Sequence, residues 1–176
     1  MAIPGLRSDP FPAFNFIISL IDTSSTLAVV STAINLAIGG GFSECSGLDG
    51  TLVVEDYAEG GENRFVHKFP TRMTYGHLVL KRGVSLSEDL WNWHFDYANG
   101  KGKRRDGLIF FLNELRLPVK TWVFKRGMPL KWVGPSLHAG QNAVAIETLE
   151  IVHEGLELYS PGTLMQQAGE ALASAF

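Results

Sequence analysis

The sequence of 176 residues contains one cysteine, Cys45, so an internal disulfide is impossible. A chain without disulfides is typical of proteins that assemble in a reducing cytoplasm. Charged residues are also scarce: they make up 19% of the chain, and hydrophobic residues make up 45%, whereas about 25% charged residues is usual. We therefore expect part of the apolar surplus to lie between subunits.

The chain has no excess of positive charge, since its net charge is −3 and its pI is about 5.9. Nucleic-acid binding draws much of its affinity from Lys and Arg side chains at phosphates, so the composition disfavours a DNA-binding protein. The one basic run, Lys101 to Arg105, is interpreted as a solvated loop. A membrane anchor is not predicted either, because the apolar stretch Thr26 to Ile38 is about 13 residues long and a spanning helix needs about 20.

Motifs for chemistry are missing as well. The five histidines lack the spacing of a metal site, and no nucleophile elbow or phosphate-binding glycine loop occurs. The sequence thus predicts no catalytic residue, no metal and no cofactor. Four glutamates near the end of the chain are interpreted either as a solvated strand face or as an acidic face that lines an opening: Glu147, Glu150, Glu154 and Glu157.

Alternating apolar residues predict several short strands. The first is Ala13 to Asp22, and a long hairpin arm is predicted where Leu52 to Tyr57 and Arg64 to Phe69 flank the pair Gly60-Gly61. Thr26 to Ile38 is predicted as a strand or a flexible excursion. The remaining predicted strands are His77 to Lys81, Leu108 to Leu117, Val119 to Lys125, Pro129 to Val133 and Val144 to Tyr159, with turns at Arg126-Gly127 and Gly134-Pro135.

One helix is predicted over Leu86 to Ala98, because Ser85 and Glu88 fit a capping box and Asn99-Gly100 supplies a left-handed stop. The helix carries two apolar stripes at helical spacing. Either both stripes lie in one core, or the second contacts another subunit. The first stripe is Leu86, Leu90, Trp93 and Tyr97, and the second is Trp91 and Phe95.

These elements predict a mainly β fold, in which two antiparallel sheets form a small barrel or sandwich with one flanking helix and an extended hairpin arm. We expect a single domain at residues 1–160. A C-terminal extension at residues 161–176 is predicted as a short helix or as disordered.

Six sequence blocks stand out along the chain: Phe42 to Leu48 (FSECSGL), Gly60 to Asn63 (GGEN), His67 to Pro70 (HKFP), Leu80 to Gly83 (LKRG), Trp122 to Leu137 and Ala145 to Leu158. In this order they resemble the tail-tube family of contractile phage tails and extracellular contractile injection systems. The resemblance covers nearly the whole chain, from about Phe11 to Ser160.

The resemblance implies a structural protein, similar to the hemolysin-coregulated protein of type VI secretion, with no catalytic residues. It implies hexameric rings that stack into a hollow tube, assembled in the bacterial cytoplasm as part of a virion or injection particle. The implied partners are further copies, sheath, baseplate and tube-cap proteins, and a lumenal cargo of DNA or an effector. Candidate interface residues are Gly47, Leu48, Glu55, Gly60, Gly61, Glu62, Asn63, Lys81, Arg82, Gly83, Trp91 and Phe95.

Two other functions are alternatives to a tube subunit. A monomeric β-barrel carrier of small molecules requires an up-and-down series of strands around an empty apolar cavity, and the helix between strands disfavours it. A hydrolase without recognisable motifs would depend on His153 or His138.

Overall fold

The computed structural model of the protein describes residues 11–22, 41–140 and 142–160. Within these ranges the chain forms nine β-strands and one α-helix. The elements are β1 (Phe16–Asp22), β2 (Phe42–Ser46), β3 (Gly50–Tyr57), β4 (His67–Tyr75), β5 (Leu78–Gly83), α1 (Asp89–Ala98), β6 (Arg105–Leu112), β7 (Pro118–Val133), β8 (Ile146–Val152) and β9 (Gly155–Tyr159).

Two antiparallel sheets form the body of the protein and share the long strand β7. The first half of β7 pairs with β6 and β9, and β6 pairs in turn with β1. The second half pairs with β8, which continues to β5 and β2. The predicted pair of antiparallel sheets is therefore confirmed. Among the described residues the strand path runs from β1 to β2 without closing into a barrel.

The change from one sheet to the other falls at Arg126, whose φ of 54° is left-handed. Such a φ is uncommon for a residue with a side chain. The Arg126 backbone N–H donates to Asp106 Oδ1 at 2.7 Å, which holds the bend against β6. The prediction of a turn at Arg126-Gly127 was wrong, because the residues on either side continue as one strand.

The core lies between the two sheets and the helix. Leu80 and Leu149 of the second sheet, Phe124 of the first sheet and Trp93 of α1 are almost completely buried. Phe124 packs directly over Gly107, where an added Cβ would lie 2.2 Å from its ring. The same cluster also contains Ile18, Leu78, Leu90, Ile109 and Ile151.

Helix α1 starts one turn later than predicted. Glu88 occupies the N-cap position and makes no side-chain cap, while Ser85 Oγ accepts from the Ser87 N–H at 3.2 Å. Leu86 is consequently outside the helix and fully exposed. The predicted helix end is confirmed, because the helix stops at Ala98 and Gly100 has a φ of 71°.

Strands β3 and β4 form a separate two-stranded sheet, which confirms the predicted hairpin arm. Their register runs from Gly50 opposite Tyr75 to Tyr57 opposite His67, with one irregularity after Val53. Strand β4 is longer than predicted, since it continues beyond Phe69. Among the described residues the arm pairs with no strand of the body.

Two other predictions, for Thr26 to Ile38 and for residues 161–176, lie outside the described residues. Within the described ranges, no helix combines the length and the apolar character that a membrane span requires.

Candidate assembly surfaces

The arm exposes an unusual number of large apolar side chains. Seven of them are 44–58% exposed, and they come from both faces of the hairpin. A two-stranded hairpin has marginal stability on its own in water. The apolar side chains of this arm are nevertheless not packed against the body of the subunit. The seven residues are Leu52, Val54, Tyr57, Phe65, Val66, Phe69 and Met73.

Polar contacts along the arm are local. Lys68 Nζ lies 2.6 Å from Asp56 Oδ1, and the Arg64 guanidinium donates to both carboxylate oxygens of Glu62 at 2.9 Å. These hydrogen bonds hold the pKa of Glu62 below its usual value. Solvent-exposed ion pairs contribute little to stability. The pairs therefore order the arm locally without attaching it to the body.

The tip of the arm contains three more predicted interface residues. Gly61 has a φ of 96° and open space around it, so the turn requires its backbone conformation and no neighbour constrains its size. Gly60 and Asn63 are exposed beside it. Glu55 is exposed on β3, where it lies opposite Phe69.

The root of the arm is tightly built. Gly47 has a φ of 84°, and a Cβ at this position would lie 1.9 Å from the His77 carbonyl oxygen. Asp49 Oδ1 accepts from the Gly76 N–H at 2.9 Å, and Leu48 packs against the core. Gly47 and Leu48 therefore have structural roles within one subunit. Their role at a subunit interface stays a prediction.

A second apolar surface lies at the opposite end of the second sheet. Strand β5 leaves the arm root at Leu78 and ends at Gly83, which pairs with Ile146. The Val84 N–H donates to the Ala145 carbonyl at 2.9 Å and ties the two connections together. We call the exposed apolar residues here the distal patch: Val84, Leu86, Val133, Val144 and Ile146.

Two aromatic residues of α1 lie on the outer side of the helix. The rings of Trp91 and Phe95 are stacked with centroids 5.3 Å apart, and Trp91 meets Trp132 edge-on at 4.7 Å. Trp91 is 40% exposed and Phe95 is 46% exposed. The second apolar stripe of the helix thus lies outside the core, whereas Leu90 and Trp93 of the first stripe are buried.

Arg82, another predicted interface residue, is buried inside the subunit. Its Nε donates to Glu147 Oε1 at 2.5 Å, and its Nη2 donates to the Ser87 carbonyl at 3.1 Å. Trp132 Nε1 donates to the other oxygen of Glu147 at 2.9 Å. Arg82 and Glu147 are only 7% and 6% exposed. This network joins the second sheet to the segment before α1. It also fixes the Trp132 ring, which Trp91 contacts.

Sequence reasoning missed Glu147 and Trp132 as parts of this network. The signal was present, because Arg82 shares its strand parity with the buried Leu78 and Leu80, so its side chain had to point inward. Lys81, of the other parity, reaches outward to Glu44 Oε2 at 2.8 Å.

The four glutamates of β8, β9 and the turn between them do not form an uncompensated acidic face. Glu150 lies 2.6 Å from His77, and Glu157 lies 2.5 Å from Lys125. Glu154 is 2.7 Å from both Arg104 and Arg126. With Glu147 bound to Arg82, each glutamate has a cationic or histidine partner.

Two of the basic residues predicted to form a solvated loop are engaged with the body. Arg104 contacts Glu154, and the Arg105 guanidinium lies 5.1 Å from the centroid of the Trp93 ring. Trp93 Nε1 also donates to the Lys103 carbonyl at 2.8 Å. The solvated-loop interpretation holds for the exposed side chains of Lys101 and Lys103 only.

The cysteine thiol and the possible metal-binding side chains do not form a reactive site in the described residues. Burial, assisted by the neighbouring Glu44, raises the pKa of the Cys45 thiol to about 11. The thiol is therefore protonated at neutral pH and packs against the core. Within the described part of the chain, no group of three His, Cys, Asp or Glu side chains could hold a metal ion.

The described residues form a body with a buried core and expose apolar side chains on the arm and in the distal patch, which is typical of a protein that works through contacts with other molecules. Residues 12–157 match the family model of the T4-like virus tail tube protein gp19, and the chain belongs to this family. The members are structural tail-tube proteins and not enzymes. None of the curated protein sequences matches the chain.

Solved structures from contractile injection systems and type six secretion share the fold. A chain in the baseplate of the anti-feeding prophage has a TM-score of 0.74 and 28% identity, with 88% of this chain and 98% of that chain covered. A chain in the extended sheath–tube complex of PVC, an extracellular contractile injection system, has a TM-score of 0.71 and 21% identity, covering 87% and 93%. A type six secretion system protein has a TM-score of 0.52 and 12% identity, with 83% of each chain covered.

Proposed function

We propose that this protein is the subunit of the inner tube of a contractile tail or injection system, in which six copies form a ring and rings stack into a hollow conduit. The observation that carries the proposal is the placement of two exposed apolar surfaces at opposite ends of one sheet. The arm is rooted at one end of β5 and the distal patch lies at the other.

Two different surfaces at opposite ends favour head-to-tail contacts. Identical copies joined by such contacts form closed rings or open stacks, depending on the rotation between them. A two-fold dimer would instead bring one surface against itself and leave the other exposed. The arm and the distal patch together therefore support stacking of rings along an axis.

Open sheet edges support closure around the ring. In the described residues β1 pairs only with β6, and β2 pairs only with β5, so each has one free edge. An unpaired edge is a template for pairing with another chain. Pairing of these edges between neighbours in a ring would join the sheets of successive subunits.

The predicted interface residues have different roles in this proposal. Glu55 and the tip residues Gly60, Gly61, Glu62 and Asn63 belong to the arm that contacts the adjacent ring. Trp91 and Phe95 offer an aromatic contact beside the distal patch. Lys81, Arg82 and Gly83 end β5, where Arg82 supports the surface from within. Gly47 and Leu48 set the root of the arm.

The likeness to a baseplate chain and to a sheath–tube complex supports a place inside a contractile particle. The proposed partners are a surrounding sheath, a baseplate and a tube cap, with DNA or an effector protein as the cargo.

Electron microscopy and sedimentation of the purified full-length protein test this proposal. We expect six-membered rings or tubes, and we expect V54D/F69D in the arm to abolish stacking while the fold, measured by circular dichroism, is retained. The double variant L115D/L117D is the matched control, since both leucines are at least as exposed as Val54 and Phe69 but lie in the connection between β6 and β7. A wild-type protein that is monomeric under every condition would overturn the proposal.

A further inference from the structure

His153 lies where the arm joins the body. It follows β8 directly, and its ring is 5.3 Å from the ring of Tyr75, the last residue of the arm strand β4. On the core side its ring is 6.1 Å from that of Phe124. His153 therefore lies between Tyr75 at the root of the arm and Phe124 in the buried core, in addition to the core contact that Leu48 makes.

One hydrogen bond sets the tautomer of the neutral His153 ring. Its Nδ1 lies 3.0 Å from the Gly155 carbonyl oxygen, which can only accept, so Nδ1 carries the proton. Nε2 is buried and has no hydrogen-bond partner among the described residues. In the neutral ring, Nε2 carries a lone pair and needs no acceptor. In the protonated ring, Nε2 would carry a buried N–H group without an acceptor, which is unfavourable.

We propose that His153 is a protonation-sensitive lock of the arm: the neutral ring holds Tyr75 and the arm root against the body, and protonation of Nε2 releases them. The consequence for assembly rests on the function proposed above, because the arm is the segment assigned to contacts between rings. The lock itself is a property of one subunit.

The charged groups around His153 are already engaged. Asp49, from the connection between β2 and β3, accepts from the Gly76 N–H, and Glu150 of β8 is held by His77. Beside His153 in sequence, Glu154 is bound by Arg126 and Arg104. On β7, Lys125 is bound to Glu157.

Burial lowers the pKa of His153 below its usual 6.5, with His77 acting in the same direction and the Gly155 hydrogen bond and Asp49 acting against it. The closed root therefore binds its proton more weakly than the open root. As the pH falls below about 6.5, the free energy of the closed root relative to the open root rises, until the folded pKa is passed. The lock is closed at neutral pH and weakens in acid.

Hydrogen–deuterium exchange of the unassembled full-length protein tests the lock, with rates corrected for the intrinsic effect of pH. Between pH 7.5 and pH 5.5 we expect several-fold faster exchange at the Gly50 and Tyr75 end of the arm, and no comparable change in β6. His153→Phe keeps an aromatic ring and cannot ionise, so its exchange should not depend on pH. His153→Asn can still donate to Gly155 and serves as the second non-ionising variant.

His77→Gln is the matched control, because it removes the neighbouring exposed histidine and should leave the pH dependence in place. A wild-type arm root that exchanges equally at both pH values would overturn the lock, as would an unchanged pH dependence in both His153 variants. Sedimentation at the same pH values then separates the two proposals. If exchange responds as expected but assembly is independent of pH, the lock stands and the assembly role of the arm falls.

Discussion

The body and the arm of this subunit have opposite relations to water. In the body, Trp93, Phe124 and Leu149 are almost completely buried between the sheets and the helix. In the arm, aromatic and aliphatic side chains such as Phe69 and Leu52 remain about half exposed on a two-stranded hairpin. The comparison teaches that apolar residues in one chain serve two purposes: those of the body hold the subunit together, and those of the arm are available for contacts with another molecule.

The same substitution in both regions tests most directly whether their apolar residues contribute differently to stability. Phe124→Ala should lower the free energy of unfolding by about 3–5 kcal/mol, because it opens a cavity in the core. Phe69→Ala should change it by about 0.5 kcal/mol or less in the unassembled subunit, as expected at an exposed position. Urea unfolding measures both, and assembly measured by sedimentation should be impaired by Phe69→Ala. Equal losses of stability would show that the arm belongs to the folded core.

The buried ion pair tests how the body supports its surface. Removal of one partner in Arg82→Met leaves the Glu147 carboxylate buried without its cation, and should destabilise by about 3–5 kcal/mol. The double variant R82M/E147L should regain much of this loss, because no uncompensated charge remains. Thermal unfolding gives the stabilities, and fluorescence of Trp91 and Trp132 reports whether the aromatic contact survives. A double variant as unstable as Arg82→Met would contradict this account.

Two glycines compare the root of the arm with its tip. Gly47→Ala should cost more than about 2 kcal/mol, since it adds a collision with the His77 carbonyl to the strain of a positive φ. Gly61→Ala should cost about 1 kcal/mol, because its φ is also positive but no neighbouring atom lies within 4 Å. Differential scanning calorimetry of both variants checks the order, and equal melting temperatures would argue against a tightly packed root.

The smallest expected effect concerns the exposed pair of Lys125 and Glu157. Hydrogen bonds from Lys125 and Tyr159 lower the pKa of Glu157, so its stabilising contribution is present above its usual value of 4.5 and is lost as the pH falls through the lowered value. Glu157→Gln should therefore cost a few tenths of a kcal/mol at pH 7 and nothing at strongly acid pH. Urea midpoints at both pH values measure this, and a pH-independent difference would assign the effect to packing.

The sequence predicted most of the strands and the arm because each depends on local alternation and on glycine pairs. No strand was predicted at β2, and β8 and β9 were predicted as one strand, Val144 to Tyr159. It misplaced the start of α1, since Ser85 and Glu88 have the spacing of a capping box but Glu88 itself occupies the cap. It also predicted a turn at Arg126-Gly127, where a long strand bends. Local sequence carries the signal for a change of direction, but whether the chain reverses there is decided by pairing with the distant β8.

The candidate surfaces were predicted less completely than the fold. Glu62 lies at the predicted arm, and the exposure of Trp91 decides between the two alternatives that the sequence left open for its stripe. The use of both residues between subunits stays a prediction. The inward direction of Arg82 follows from strand parity, yet its partners Glu147 and Trp132 come from strands far along the chain. Their meeting depends on tertiary register, which a single sequence does not reveal.

Strand β7 has a mechanical consequence. Because its two halves belong to different sheets, a pull on one sheet reaches the other through the covalent backbone of Arg126 and Gly127, in addition to the side chains packed between them. The sheets therefore cannot slide apart as two independent plates. To separate the two sheets, the hydrogen bonds of β7 on both sides of the bend would have to break one after another.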